Sequence, residues 1–142
     1  MKKFQGGPKM SKALIHMEDG KYAIRLEALK KDADEASAMA NYLSQMAVVT
    51  KQEDVVTLSL LLQSQQTITG LQVEGSSEEL IEAVERQIDE EMDRRFEMFE
   101  LAQLPTVLPV RVQYEVEHEG KSFKGDEMLR LSFDQDSLEK IV

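Results

Sequence analysis

The stretch that decides the fold is residues 21–29, KYAIRLEAL, together with the runs that follow it as far as residue 73. Tyr22, Ile24 and Leu26 alternate with Ala, Arg and Glu, and a period of two is typical of a strand with one buried face. Two further runs, residues 55–62 and 67–73, are rich in leucine and β-branched residues. This order predicts one strand, a polar insert and then paired strands.

The insert over residues 34–43, DEASAMANYL, predicts a short helix. Its acidic start suits a helix N-terminus, where carboxylates complement the helix dipole. Ser37, Met39 and Tyr42 follow within one or two turns. A short helix on the rim of a β-sandwich can close one side of a ligand slot, so these three side chains are the first candidates for a binding site.

The C-terminal third predicts a β-hairpin. Apolar residues alternate over 110–116 and again over 128–133, and Glu119-Gly120-Lys121 lies between the two runs as a turn. Six or more short strands joined by polar segments are typical of an antiparallel sandwich, so we predict an all-β fold. The alternation predicts these core residues: Tyr22, Ile24, Leu26, Val110, Val112, Leu129, Leu131 and Phe133.

Composition excludes several functions. The 142 residues fit a single domain, which we place at residues 19–142 after a flexible leader at 1–18. A net charge of −10 argues against nucleic-acid binding, and the absence of cysteine excludes a disulfide framework or a thiolate metal site. No run approaches the ~20 apolar residues that span a bilayer, so membrane insertion is not expected.

Catalytic motifs are not evident in the chain. It contains no glycine-rich phosphate loop and no nucleophile elbow, and its carboxylates have no spacing that selects a pair for acid/base chemistry. We therefore expect a non-catalytic protein. The first residues lack the apolar stretch of a signal peptide and no C-terminal anchor follows, which leaves a cytoplasmic location open.

The order of elements resembles a NEAT (near-iron-transporter) domain. The segments that carry the resemblance are Asp19-Gly20-Lys21-Tyr22, Ala28-Leu29-Lys30, the insert from Ser37 to Tyr42, and Ile68-Thr69-Gly70-Leu71-Gln72-Val73. The resemblance implies an immunoglobulin-like sandwich that Gram-positive bacteria place at the cell surface or secrete to capture haem or a haemoprotein. The competing hypothesis is an interaction module that kept the fold, lost haem ligation and binds another iron-uptake protein.

Residues 77–100 support two interpretations. Apolar residues recur there at steps of three and four, and Ser76-Ser77-Glu78-Glu79 is typical of a capped helix start, so the local pattern predicts an inserted amphipathic helix. The NEAT resemblance instead implies two strands and a turn, the second strand being residues 94–101. In both cases we expect exposed carboxylates and these buried residues: Ile81, Val84, Ile88, Phe96 and Phe99.

The resemblance also implies a binding site. In NEAT domains haem lies between the serine-bearing helix and the last hairpin. The serine holds a propionate, a methionine and aromatic residues line the pocket, and a tyrosine on the last strand ligates the iron with support from a tyrosine four residues later. Ser37, Met39 and Tyr42 match the helix side, whereas counting back from Phe133 places the tyrosine pair at Phe123 and Glu127.

The replaced tyrosine pair changes the expected ligation. Phenylalanine cannot ligate iron, and glutamate is at best a weak oxygen ligand, so we expect weaker haem binding than in a domain with both tyrosines. Tyr114 and His118 have the same spacing of four residues and contain two competent ligands, but they lie on the preceding strand.

Overall fold

The computed structural model describes residues 13–64 and 66–141, and these residues are almost entirely β-structure. The strands are β1 Leu14–Ile15, β2 Gly20–Lys30, β3 Met46–Gln52, β4 Val55–Gln63, β5 Ile68–Glu74, β6 Leu80–Glu82, β7 Glu85–Asp89, β8 Arg94–Leu101, β9 Leu104–Pro105, β10 Val107–His118 and β11 Lys121–Lys140. A short 3-10 helix, Ala38–Tyr42, lies between β2 and β3 and is called the rim helix below.

The main strands form one antiparallel sheet in the order β6-β5-β10-β11-β2-β3-β4-β8-β7. The sheet curls so that its two halves bury their inner faces against each other, which produces the predicted all-β sandwich. Alternation decides which side chains point inward, because successive residues of a strand face opposite sides. Every predicted core residue is buried, which confirms the set: Tyr22, Ile24, Leu26, Val110, Val112, Leu129, Leu131 and Phe133.

The sheet turns from one half to the other where β11 pairs with β2. The register of this pairing shifts between Asp134 and Glu139, and an irregularity of this kind lets a strand bend sharply. The backbone N–H of Arg25, freed from the ladder there, donates to the hydroxyl of Ser137 at 2.8 Å. One polar side chain therefore satisfies the group that the bend exposes.

The N-terminal part of the described chain joins the core. β1 pairs with β9 in a small separate sheet, and Ile15 is buried in the main hydrophobic cluster. Residues 1–12 lie outside the described residues, so the division into a leader at 1–18 and a domain at 19–142 stays a prediction. Within residues 13–64 and 66–141, no helix has both the length and the apolar character needed to cross a membrane.

The helical interpretation of residues 77–100 is wrong. The segment forms β6, β7 and β8, and β8 has the bounds that the strand alternative gave. β8 pairs with β4 along its whole length, and this non-local pairing overrides the local three-to-four-residue period.

The predicted burial within this segment is also partly wrong. Phe99 is fully buried and Ile81 partly so, but Val84 and Ile88 are 60% and 57% exposed, and Phe96 is exposed as well. Among the carboxylates that were expected in water, Glu97 is instead 1% exposed. Val84 and Ile88 lie at the edge of the sheet, whereas Phe96 lies on β8 and points to the outer face, opposite to Arg95 and Glu97.

Candidate functional site

The predicted site lies at the end of the sandwich where the β10–β11 hairpin extends beyond the neighbouring strands β2 and β5. Pairing of β11 with β2 stops at Leu129 opposite Lys30, and pairing of β10 with β5 stops at Tyr114 opposite Ile68. Beyond these points the Glu115 N–H still donates to the Thr67 carbonyl at 2.8 Å, and after it the two hairpin strands pair with each other as far as His118 and Lys121. A two-stranded ribbon therefore projects past the core with its inner face available.

The rim helix is built at the same end of the sandwich. Ser37 stands at its N-cap, where its Oγ accepts a hydrogen bond from the Met39 N–H at 3.1 Å, and the Ser37 N–H donates to the Ala28 carbonyl at 2.9 Å. A bridge from Leu43 to Leu62 holds the other end of the helix. The short helix predicted for the rim is therefore confirmed, and a serine cap explains where it begins.

The predicted residues of the rim helix differ in accessibility. Ser37 is 8% exposed, and although its oxygen already accepts a hydrogen bond, its O–H can still donate one. Met39 is buried in the main cluster, and Tyr42 is half-buried against it. Met39 therefore contributes to the core as well as to the rim.

The inner face of the hairpin is defined by its register. Val112 pairs with Glu127, Tyr114 with Gly125, and Val116 with Phe123. Because directly opposed residues share a face, these side chains continue the inner face that begins with the buried core residues of both strands. Phe123 is 50% exposed and Glu127 is also exposed.

Gly125 makes room for a neighbouring side chain in the middle of this face. A Cβ placed on Gly125 would overlap the ring of Tyr114, so the tyrosine lies directly across the glycine backbone. A glycine inside a strand commonly marks such a close approach. Phe123 and Glu127 flank the glycine, roughly 13 Å apart if the strand is fully extended.

The hairpin turn is a two-residue connection. Glu119 and Gly120 have φ of 53° and 76°, and positive φ at both central residues is the type I′ turn that matches the twist of paired strands. The predicted hairpin is therefore confirmed. His118, the partner of Tyr114 in the alternative ligand pair, lies at this exposed tip with its Nε2 3.8 Å from Oε1 of Glu119.

Two arginines on the outer face hold the hairpin in place. Arg111 donates two hydrogen bonds to the Asp126 carboxylate, from Nε to Oδ1 at 2.9 Å and from Nη2 to Oδ2 at 2.5 Å. The hydrogen bond from Arg111 lowers the pKa of Asp126 below its ordinary value, and the same contact raises the pKa of Arg111. Arg130 reaches from β11 to the insert, where its Nη2 donates to the Ala33 carbonyl at 2.8 Å.

A buried ion pair ties the two halves of the sandwich together at this end. Arg95 on β8 donates from Nε to Oε2 of Glu97 at 2.7 Å and from Nη2 to the carbonyl of Ile68 at 2.9 Å. Ile68 begins β5 and stands opposite Tyr114 in the sheet. The ion pair therefore anchors the strand that supports the base of the projecting hairpin.

Two hollows lie near these elements. One of 230 Å³ borders the rim helix and is lined by Arg25, Leu26, Glu27, Ala28, Ala36, Ala40, Leu43 and Gln45. The other, of 580 Å³, lies between the 64–67 turn and the hairpin and is lined by Gln66, Thr67, Glu115, Val116, Glu117 and Ser122. None of the five predicted site residues lines either hollow, so the structure places them in two groups, on the rim helix and on the hairpin.

The comparison with known families decides the identity of the fold. The family model described as NEAT, the iron transport-associated domain, matches residues 16–136. This chain belongs to the NEAT family.

Individual relatives agree with this membership. Hemin/hemoglobin-binding protein 1 of Listeria monocytogenes is 23% identical over 126 residues, which are 89% of this chain and 58% of that protein. The chain thus spans somewhat over half the length of that relative.

Solved structures share the fold. The NEAT5 domain of IsdX2, a hemophore of B. anthracis in complex with heme, superimposes with a TM-score of 0.71 at 23% identity, covering 83% of this chain and 98% of that one. A mutant of the same NEAT5 domain, also in complex with heme, gives a TM-score of 0.71 at 22% identity, covering 84% of this chain and 98% of that one.

Within this NEAT domain the roles of Ser37, Met39, Tyr42, Phe123 and Glu127 stay predictions. Sequence reasoning missed two features of the site. The sequence did contain a signal for the cross-strand contact of Tyr114 with Gly125. Continuing the alternation from Val110 places Tyr114 on the inner face, and a glycine within a strand indicates a close approach of another group. The anchoring role of Arg130 had no signal in the sequence, because its partners lie about 100 residues away: the carbonyls of Lys30 and Ala33 and the Asp34 carboxylate.

Proposed function

We propose that this NEAT domain is a non-catalytic module of bacterial iron acquisition that binds haem, free or carried by a haemoprotein, between the rim helix and the inner face of the β10–β11 hairpin. By the same family membership, the protein would act at the cell surface of a Gram-positive bacterium or as a secreted protein. Ser37, Met39 and Tyr42 would form the helix side of the site, and Phe123 and Glu127 the hairpin side.

The observation that carries this proposal is the projecting hairpin. Phe123 is half exposed on an inner face that elsewhere is the sandwich core, and large apolar side chains so placed are typical of a binding surface. Gly125 leaves room for the Tyr114 ring to lie across the middle of the face, and the partly buried Val116 extends the apolar area. A flat, mainly apolar macrocycle suits a flat, mainly apolar strand face.

The polar groups present also fit such a ligand. The buried hydroxyl of Ser37 has a donor to spare for a carboxylate, as a propionate would require. The hairpin offers oxygen donors at Tyr114 and Glu127, the latter in the position of the family's supporting tyrosine. When bound, haem would supply a ferric centre for one such donor, while this chain positions the ring and shields it from water.

A hemin titration followed by absorbance tests the proposal. We expect a saturable change in the Soret band at one equivalent, which weakens when Phe123→Ala removes apolar area from the inner face. Met128→Ala is the matched control, because Met128 lies on the outer face of the same strand with similar exposure. Equal loss in both variants, or no saturable change with the wild type, would contradict the proposed site.

Restoring the family's tyrosine provides a second, opposite test. Phe123→Tyr adds a phenol to the inner face, so hemin affinity should rise and a ferric high-spin spectrum should appear or strengthen. If the variant binds hemin less well than the wild type, the alignment of the hairpin with the family's tyrosine pair is wrong.

A specific feature favours the alternative, an interaction module without haem ligation. β7 ends the sheet order, all of its residues are exposed, and Val84 and Ile88 add apolar surface to this edge. An unpaired strand edge is a template for another chain. The same hemin titration separates the two functions, because a domain that serves only as a protein partner gives no Soret change.

A further inference from the structure

We propose that Tyr114, on β10, supplies the phenolate oxygen that binds the haem iron in this chain, one strand away from the position where the family carries its ligand. The inference rests on the proposed function, because it names the iron ligand within the same site. Its starting point is the register of the hairpin rather than the spacing of residues along β11.

Register places Tyr114 at the centre of the candidate surface. It pairs with Gly125, while the next pairs on either side are Val116 with Phe123 and Val112 with Glu127. Tyr114 is therefore the diagonal neighbour of both residues that replace the family's tyrosines, and diagonal neighbours on one face lie within reach of long side chains. Moving a ligand from β11 to β10 displaces its attachment point by about 4.8 Å, the spacing of adjacent strands.

The contact with Gly125 fixes where the phenol lies. The ring rests across the glycine backbone, which brings the hydroxyl towards β11 and into the interval between Phe123 and Glu127. A larger residue at 125 would push the ring away from β11. The glycine thus moves the phenol oxygen towards the strand that has lost its own phenol.

The hydroxyl of Tyr114 is not committed to a structural hydrogen bond. In residues 13–64 and 66–141, Tyr22 donates its hydroxyl to the Glu18 carbonyl at 2.7 Å, whereas the Tyr114 hydroxyl has no such partner. Tyr114 is nevertheless partly buried and packs against the core, so its ring is held while its oxygen remains available. A fixed ring with a free oxygen is the arrangement that a metal ligand needs.

The other donors on this face are less suitable. His118 is at the tip of the hairpin with its side chain 75% exposed, beyond the apolar part of the face. Glu127 offers a carboxylate, which holds ferric haem less well than a phenolate, the ligand that catalase uses. Glu127 is better placed to accept a hydrogen bond beside the phenolate than to replace it.

Titrations with hemin and with metal-free protoporphyrin IX distinguish the contribution of iron ligation to affinity from the contribution of packing against the ring. Tyr114→Phe keeps the ring on Gly125 and removes only the oxygen. We expect its dissociation constant for hemin to rise roughly tenfold or more, since even outer-shell changes at metal sites cost ten- to a hundredfold, with loss of the phenolate-to-iron charge-transfer band. Its affinity for metal-free protoporphyrin IX should stay within about twofold of the wild type, which also shows that the site is folded.

Tyr22→Phe is the control, because it removes the hydroxyl from a tyrosine of β2 that lies outside the proposed site and donates to the Glu18 carbonyl. It should leave the hemin spectrum unchanged. The inference is overturned, with the proposed function intact, if Tyr114→Phe binds hemin with wild-type affinity and spectrum, or if it weakens both porphyrins equally. Failure of the wild type to bind hemin overturns the proposed function and the inference together.

Discussion

Replacing Glu97 by leucine should destabilise the domain far more than removing an exposed charge at the sandwich end. Glu97 is 1% exposed, and its Oε2 accepts a hydrogen bond from Arg95 Nε at 2.7 Å. The leucine would leave the buried guanidinium of Arg95 without its carboxylate, although the bond from Arg95 to the Ile68 carbonyl would remain. Removing one partner of a buried ion pair typically costs 3–5 kcal/mol, and we expect about 3 kcal/mol here.

A nearby arginine provides the control for this prediction. Arg86 Nε lies 3.4 Å from Oε1 of Glu97, and the Arg86 side chain is 44% exposed, so water screens its charge although the carboxylate itself is buried. Arg86→Met should therefore cost less than about 1 kcal/mol. The double variant Arg95→Met with Glu97→Leu should recover part of the loss, because it removes both buried charges, with a coupling energy of about 2 kcal/mol.

Urea unfolding followed by circular dichroism measures these free energies, provided that the slopes of the transitions agree among the variants. In a chain of this size, a loss of about 3 kcal/mol should lower the melting temperature by roughly 6–12 °C. A loss below about 1 kcal/mol for Glu97→Leu would refute the reasoning. So would equal losses for Glu97→Leu and Arg86→Met, since burial would then not decide the energy.

Two further predictions concern the hairpin. Glu119→Asn should raise the free energy of unfolding by up to about 1 kcal/mol, because asparagine tolerates the positive φ of this turn better than glutamate; thermal unfolding would check this, with Gly120→Ala as the opposite, destabilising change. Asp126 has a lowered folded-state pKa, so its bond to Arg111 contributes stability above the ordinary carboxyl range and loses it as pH falls through the folded-state value. The stability difference between wild type and Asp126→Asn, measured from pH 7 to pH 2, should therefore shrink on the acid side, and a difference that is constant with pH would contradict this assignment.

Local sequence patterns determined most of the sandwich. Strands that bury one face must alternate, so the period of two identified β2, β10 and β11 together with the core residues they contribute. The turn at Glu119 and Gly120 could be predicted for a similar reason, because few residue pairs accept positive φ twice in succession. The rim helix was also predicted, but not for the expected reason: Asp34 and Glu35 precede the Ser37 cap, and the first turn of the helix contains no acidic residue.

Non-local pairing decided what the sequence left open. Residues 94–101 satisfy a helical period, and only the pairing of β8 with β4 turns them into a strand. The same register directs Glu97 inward to Arg95, where a charged residue would otherwise be expected in water. The position of Tyr114 across Gly125 also depends on which residues of two strands stand opposite each other. A one-residue slip would move every one of these side chains to the other face of the sheet, and the free energy that prevents it comes from packing across the whole sandwich.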